Sequence, residues 1–147
     1  MFDLKNNIKL ETSLAPILKS VDVNGTGVDL TGFSSAAVVV NVGAAGDTFS
    51  GSVKTNLIIE DSDDNSTYTA VTSSNVTGGT TDSSGIFQTI DANGEAGTTY
   101  GIGYVGGKKW IRAVVDIVGT HTNGTIYGAV VVKGTPISAP VYTDANA

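Results

Sequence analysis

Apolar and polar positions alternate with a period of two through most of the chain, in short runs bounded by Gly, Asn, Asp and Ser. The clearest run is Trp110 to Val118. Ile111, Ala113, Val115 and Ile117 fall on one side of it, and Trp110, Arg112, Val114 and Asp116 on the other. Successive side chains of a strand point to opposite faces of its sheet. The run therefore predicts a strand with a purely apolar face on a core and a mixed face away from it. Thr125 to Lys133 reads the same way, with Ile126, Val130 and Val132 opposite Tyr127, Ala129 and Val131. The polar stretch Gly119 to Gly124 between them has the length of a hairpin loop, which predicts that the two strands pair antiparallel.

Upstream, Ser35 to Val42 is apolar and β-branched on both faces and predicts a central buried strand. Thr55 to Glu60 and Thr67 to Val71 flank the turn-rich stretch Asp61 to Ser66 and predict a second hairpin. Shorter candidates are Ile17 to Val23, Gly27 to Leu30, Ile86 to Ile90 and Tyr100 to Tyr104, and no window carries a 3.6-residue apolar repeat. Several short strands at this spacing predict a single all-β domain, an antiparallel β-sandwich or barrel. Ser73 to Gly85, almost all Ser, Thr, Gly and Asp, predicts a long exposed loop. Residues 1–16 read as an extended N-terminal arm ending at Ala15-Pro16, where proline disfavours a helix. Residues 17–135 form the sandwich or barrel, and residues 136–147, with two of the three prolines, form a C-terminal tail. Both ends are expected to reach a neighbouring subunit or else to fray.

At 147 residues the chain is long enough to bury a core without a covalent staple. It has no cysteine, which removes disulfides, thiolate metal sites and Cys–His catalysis and leaves the compartment open. The opening Met1-Phe2-Asp3-Leu4-Lys5-Asn6-Asn7 lacks the apolar stretch of a secretory leader. The longest apolar runs, Ala36 to Val40 and Ala129 to Val132, fall far short of the roughly 20 residues that span a bilayer. A soluble protein with no membrane partner is expected. Net charge is −6, from 8 Lys+Arg against 14 Asp+Glu, a poor match for phosphate. The one basic cluster, Lys108-Lys109 with Arg112, lies beside an apolar strand, so no nucleic-acid partner is expected.

Candidate chemistry is thin. A Ser–His–acid triad would need His121, the only histidine, which sits between threonines in a polar loop and reads as a solvated turn residue. Zinc sites combine several His or Cys ligands. Gly101-Ile102-Gly103-Tyr104-Val105-Gly106 has the G-x-G-x-x-G spacing, but Lys108 and a strand follow it where a phosphate cradle needs a helix. Asp61-x-Asp63-x-Asn65 places oxygen ligands at alternate positions, as an EF-hand opening does, without glycine at the sixth position or glutamate at the twelfth. A turn is the favoured reading, since Asp and Asn bond their own backbone, and a calcium site of another kind is the alternative. Glu60, Glu95 and Asp116 are available as a glycosidase pair, but nothing places two of them on one cleft. No catalytic residue, cofactor or metal is expected, and the chain is not expected to be an enzyme. Tyr104, Trp110, Tyr127 and Tyr142 gather towards the C-terminus, where exposed rings would bind a sugar or a protein. Trp110 shares the mixed face with Arg112 and reads as an interface residue or as packing at the edge of the core.

Three stretches together resemble the small virion proteins of tailed phages: Leu57 to Tyr68, Tyr104 to Arg112, and Gly124 to Pro136. The opening from Met1 to Pro16 is similar to these proteins as well, so the resemblance touches most of the chain. Lys109-Trp110 departs from the Arg-Tyr that is commoner there and leaves the strand pattern intact. The resemblance defines no catalytic residues. It implies a non-catalytic structural protein, made in the host cytoplasm and carried on the capsid surface, where it decorates and cements the head by bridging capsomers. The implied partners are the major capsid protein and further copies of the chain, a trimer being expected because local three-fold axes recur across a capsid. Phe2 and Leu4 in the arm, Trp110 and Arg112 on the strand, and Pro140 and Tyr142 in the tail are the expected interface residues. One alternative keeps the virion and moves the protein to the head–tail junction or the tail. Another is a carbohydrate-binding module with Trp110 and nearby tyrosines as its platform.

Overall fold

A computed structural model describes residues 3–138 of the chain; Phe2, Pro140 and Tyr142 lie outside the described residues. Among those residues the alternation becomes eleven strands: β1 (Ile8–Lys19), β2 (Val23–Asn24), β3 (Val28–Asp29), β4 (Phe33–Val42), β5 (Lys54–Ser62), β6 (Thr69–Ala70), β7 (Val76–Thr77), β8 (Ile86–Ile90), β9 (Thr99–Tyr104), β10 (Trp110–Val118) and β11 (Thr125–Pro136). They form two antiparallel sheets packed as an all-β sandwich. One runs β1-β11-β4-β9-β7. In the other, β10 and β5 pair at the centre, with β2 and β3 beyond β10 and β6 and β8 beyond β5.

The core is the sum of the inward faces. Val38, Val40, Tyr127 and Val131 of the first sheet meet Leu57, Ile59, Ile111, Ala113 and Val115 of the second, all completely buried. Each large aliphatic side chain so buried contributes about 1.5–3 kcal/mol. The face of β10 expected inside is inside at Ile111, Ala113 and Val115, and β11 buries its Tyr127 face and turns Ile126 outward. The hairpin expected around Asp61 to Ser66 forms, with Glu60 opposite Ala70 and Asp61 opposite Thr69. Ser35 to Val42 does lie in the middle of its sheet, but only its Val38, Val40 and Val42 side is buried.

Three expectations are corrected. β10 and β11 do not pair: β10 lies against β5 along its whole length, and β11 lies between β1 and β4. Loop length sets reach and not partner, and a six-residue connection spans the roughly 10 Å between packed sheets as readily as the 5 Å between neighbouring strands. Gly119 (φ 85°) and Gly124 (φ 74°) turn the chain at its two ends in a conformation that glycine adopts without strain. Secondly, the N-terminal segment is not an arm up to residue 16. From Ile8 it is the edge strand β1, paired with β11 from Ile8–Gly134 to Lys19–Thr125. Register shifts between Thr12 and Leu14 and between Leu14 and Ile17 break the alternation that would have marked it as a strand, and Pro16 is tolerated at that irregular edge. Thirdly, Ser73 to Gly85 is not all loop, because β7 within it pairs with β9 and inserts Val76 into the core. Among the described residues no helix is long and apolar enough to cross a membrane.

Candidate interaction surface

The two outer faces of the sandwich differ in kind. On the five-stranded sheet, the residues of β11 that alternate with the core set are Ile126, Gly128, Val130 and Val132. The register sets Val130 between Thr12 and Val39, and Val132 between Leu10 and Ala37; Gly101 and Gly103 of β9 continue the rows beyond Val39 and Ala37. Leu10, Leu18 and Ile126 are 59%, 58% and 50% exposed. No outward-facing position of β1, β11, β4 or β9 carries a charge. The charges these strands do possess are turned inward. Lys133 is buried, donates from Nζ to Glu11 Oε2 at 2.8 Å and to the Asp29 carbonyl at 2.9 Å, and lies 4.9 Å from the Phe33 ring. Glu11 accepts from Lys133 and Lys9, and these bonds hold its carboxyl below the usual carboxylate range against the desolvation of burial, which is the largest single influence and acts upwards. A one-sided antiparallel sheet ordinarily presents polar residues to water. A contiguous uncharged, largely apolar face marks a contact surface.

The opposite outer face is charged and internally satisfied. Arg112 binds Glu60 Oε2 through Nη2 at 2.7 Å and Nε at 2.8 Å, and its guanidinium lies 4.0 Å from the centre of the Tyr68 ring. Asn56 donates to Asp116 at 2.8 Å, and Lys109 Nζ lies 5.4 Å from the centre of the Trp110 ring. Trp110 and Arg112 therefore share one face, half-buried, on the side away from the uncharged sheet. Leu4 is exposed just ahead of the 3-10 turn Lys5–Asn7. Of the tyrosines grouped with Trp110 in the sequence, Tyr104 and Tyr127 are buried and Tyr142 lies outside the described residues. The uncharged sheet face was missed in the sequence because its members come from four strands distant in the chain.

The remaining candidates are tied into the fold. Asp61 points inward and is 3% exposed; its carboxylate pairs with Lys108 Nζ at 2.8 Å and accepts from Thr69 and Tyr104 hydroxyls at 3.0 Å each. Asp63 is exposed, and Asn65 sits in the left-handed region (φ 58°) and accepts from the Tyr68 hydroxyl. The three do not converge on one point as a ligand set, and the segment is a turn. Asp64 organises it by accepting from the backbone N–H groups of Thr67 and Ser66 at 2.8 and 2.9 Å, bonds that lower its carboxyl to about 2. Glu95 likewise caps backbone, accepting from Asp91 and Ala92 N–H. Gly101 to Tyr104 is strand β9, not a phosphate loop.

His121 corrects another expectation: its side chain is fully buried, edge-on to Phe49 at 5.7 Å. A carbonyl only accepts, so Nε2 donates to the Val118 carbonyl at 3.2 Å, and Nδ1 faces Asp47 Oδ2 at 3.8 Å without a hydrogen bond. The same Asp47 carboxylate accepts from the N–H groups of Thr122, Asn123 and Gly124, and so fastens the connection between the sheets. A groove of about 350 Å³ opens between Leu30–Ala36 and Tyr104–Lys109, but its two lysines are already paired, Lys108 with Asp61 and Lys109 with Asp29 at 3.6 Å. No family model matches the chain, and neither a curated protein nor a solved structure matches it.

Proposed function

We propose that this chain is a non-catalytic structural protein of a phage virion, carried on the capsid surface, that stabilises the head by bridging capsomers. The observation that carries the adhesive reading is the uncharged outer face of the five-stranded sheet, with Leu10, Leu18 and Ile126 at least half exposed. The virion setting rests on the resemblance of the segments 57–68, 104–112 and 124–136 to small phage virion proteins. A cement protein acts through area: many modest contacts, each reversible, must break together before the shell yields. A rigid sandwich with an apolar face on one side and a charged face on the other supplies two unlike contacts on one body, which is what bridging requires. In this reading Arg112 and Trp110, on the charged side, meet the major capsid protein.

The test is binding of the purified chain to isolated capsids lacking it, together with its copy number per virion by mass spectrometry. Saturable binding and copies in the hundreds are expected. Absence from the shell overturns the proposal, and a copy number matching a single ring moves the protein to the head–tail junction.

A further inference from the structure

We infer that the outer face of the five-stranded sheet is the contact between two copies of this chain, packed face to face about a two-fold axis parallel to the strands. The inference rests on the adhesive reading above and names the partner of that face.

The face is uneven in a way that fits itself. Its β1–β11 half carries the three most exposed large side chains, Leu10, Leu18 and Ile126, beside Val130 and Val132, whereas its β4–β9 half carries Ala37 and Gly103 in the Leu10–Val132 row, Val39 and Gly101 in the Val130 row, and the short polar pair Asn41 and Thr99 beside Gly128. Take an axis that lies between two facing sheets and runs along the strands. Rotation by a half-turn exchanges left and right, so the bulky half of each copy lies over the small half of the other. The alternative axis, across the strands, would stack Leu10, Leu18 and Ile126 on their own kind and leave the shallower Ala37 and Gly101 side unfilled. Shape therefore selects one two-fold arrangement, an isologous contact that closes at two copies. A trimer would need a second, different contact.

Size and charge agree. Four strands about 4.8 Å apart, crossed by the positions from Ile126 to Gly134 at about 3.4 Å each, give roughly 500 Å² of flat face per copy. Two copies so packed bury about 1,000 Å², the size at which specific protein interfaces begin. Each copy carries a net charge of −6, which opposes association through most of its surface. On this face no like charges meet and no charged group has to be stripped of water, because Glu60, Arg112 and Asp116 lie on the opposite side.

The experiment is sedimentation equilibrium of the intact chain, of Val130→Glu on the uncharged face, and of Ile58→Glu on the outward side of β5. The native chain and Ile58→Glu are expected as dimers in the micromolar range, and Val130→Glu as a monomer with unchanged circular dichroism. Should Val130→Glu fail to fold, Leu10→Lys, on the exposed edge strand, is expected to give the same dissociation. A native chain that stays monomeric, or a dimer indifferent to both Val130→Glu and Leu10→Lys, overturns the inference. Capsid binding separates it from the functional proposal. A monomeric native chain whose capsid binding is lost in Val130→Glu assigns the face to the shell; a dimer that ignores capsids leaves this inference standing and removes the other.

Discussion

Asp61 continues the inward series of Leu57 and Ile59 on β5, so alternation alone places a carboxylate where a hydrocarbon belongs. A buried carboxylate is tolerated only when paired and hydrogen-bonded, and Lys108, Thr69 and the Tyr104 hydroxyl meet that need. Removing one donor leaves the charge under-satisfied, so Tyr104→Phe is expected to lower stability by about 1–3 kcal/mol in urea unfolding. Burial, above all, and the Asp61 carboxylate push the Tyr104 hydroxyl up to about 12. The neutral phenol is thus favoured by folding. Its contribution is whole below the ordinary tyrosine value and fades as pH rises from about 10 towards 12, a loss that Tyr104→Phe abolishes. Asp64 has the opposite sign, since its lowered carboxyl contributes above the ordinary carboxylate range and ceases to contribute as pH falls towards about 2. A carbon-detected NMR titration of Asp64 is expected to show that low midpoint, and Asp64→Asn to flatten that part of the acid limb. The sequence showed that 61–66 turns, because Asp, Asn and Ser bond their own backbone; it did not show that Asp61 leaves the turn for the core, since Lys108 and Tyr104 lie more than forty residues away. His121 was illegible for the same reason: its neighbours in the chain are polar, and the residues that enclose it, Phe49 and Asp47, are distant.

Strands proved easier to read than their partners. β10 was legible from end to end because one rigid, unbulged strand keeps a period of two, whereas β1 was lost to its two register shifts. Pairing was legible only where the turn is local, as in β5–β6. Between β10 and β11 a loop of hairpin length joins the two sheets, and what fixes that path is Asp47, from the long connection between β4 and β5. Its carboxylate gathers three successive N–H groups, and the bonds to Asn123, foremost, and Gly124 and Thr122 lower its ionisation range. Asp47→Ala is expected to lower the thermal midpoint and to speed amide hydrogen exchange at Thr122, Asn123 and Gly124 while leaving β4–β9 protection intact. Unchanged exchange at those three amides would show that glycine geometry alone holds the crossing.

A sandwich whose two outer faces are so unlike separates two kinds of adhesion, and salt tells them apart. The outward rows of the five-stranded sheet became visible only once the register set Leu10, Val132, Ala37 and Gly103 side by side, so no reading of single runs would have found the patch. A contact between copies on that face would be driven by apolar burial, with no ion pair to screen. The remaining electrostatic influence is repulsion between two bodies of charge −6, which added salt weakens. Self-association should therefore hold steady or tighten as sodium chloride is raised from about 0.05 to about 0.5 M, and tighten further in sulfate, which favours burial of apolar surface. Binding through the Arg112–Glu60 face would behave in the opposite way, because its charges would have to be re-paired with a partner's and that pairing is screened. Sedimentation across that salt range is the measurement. Dissociation at high salt would place the contact between copies on the charged face and leave the uncharged sheet to a different partner.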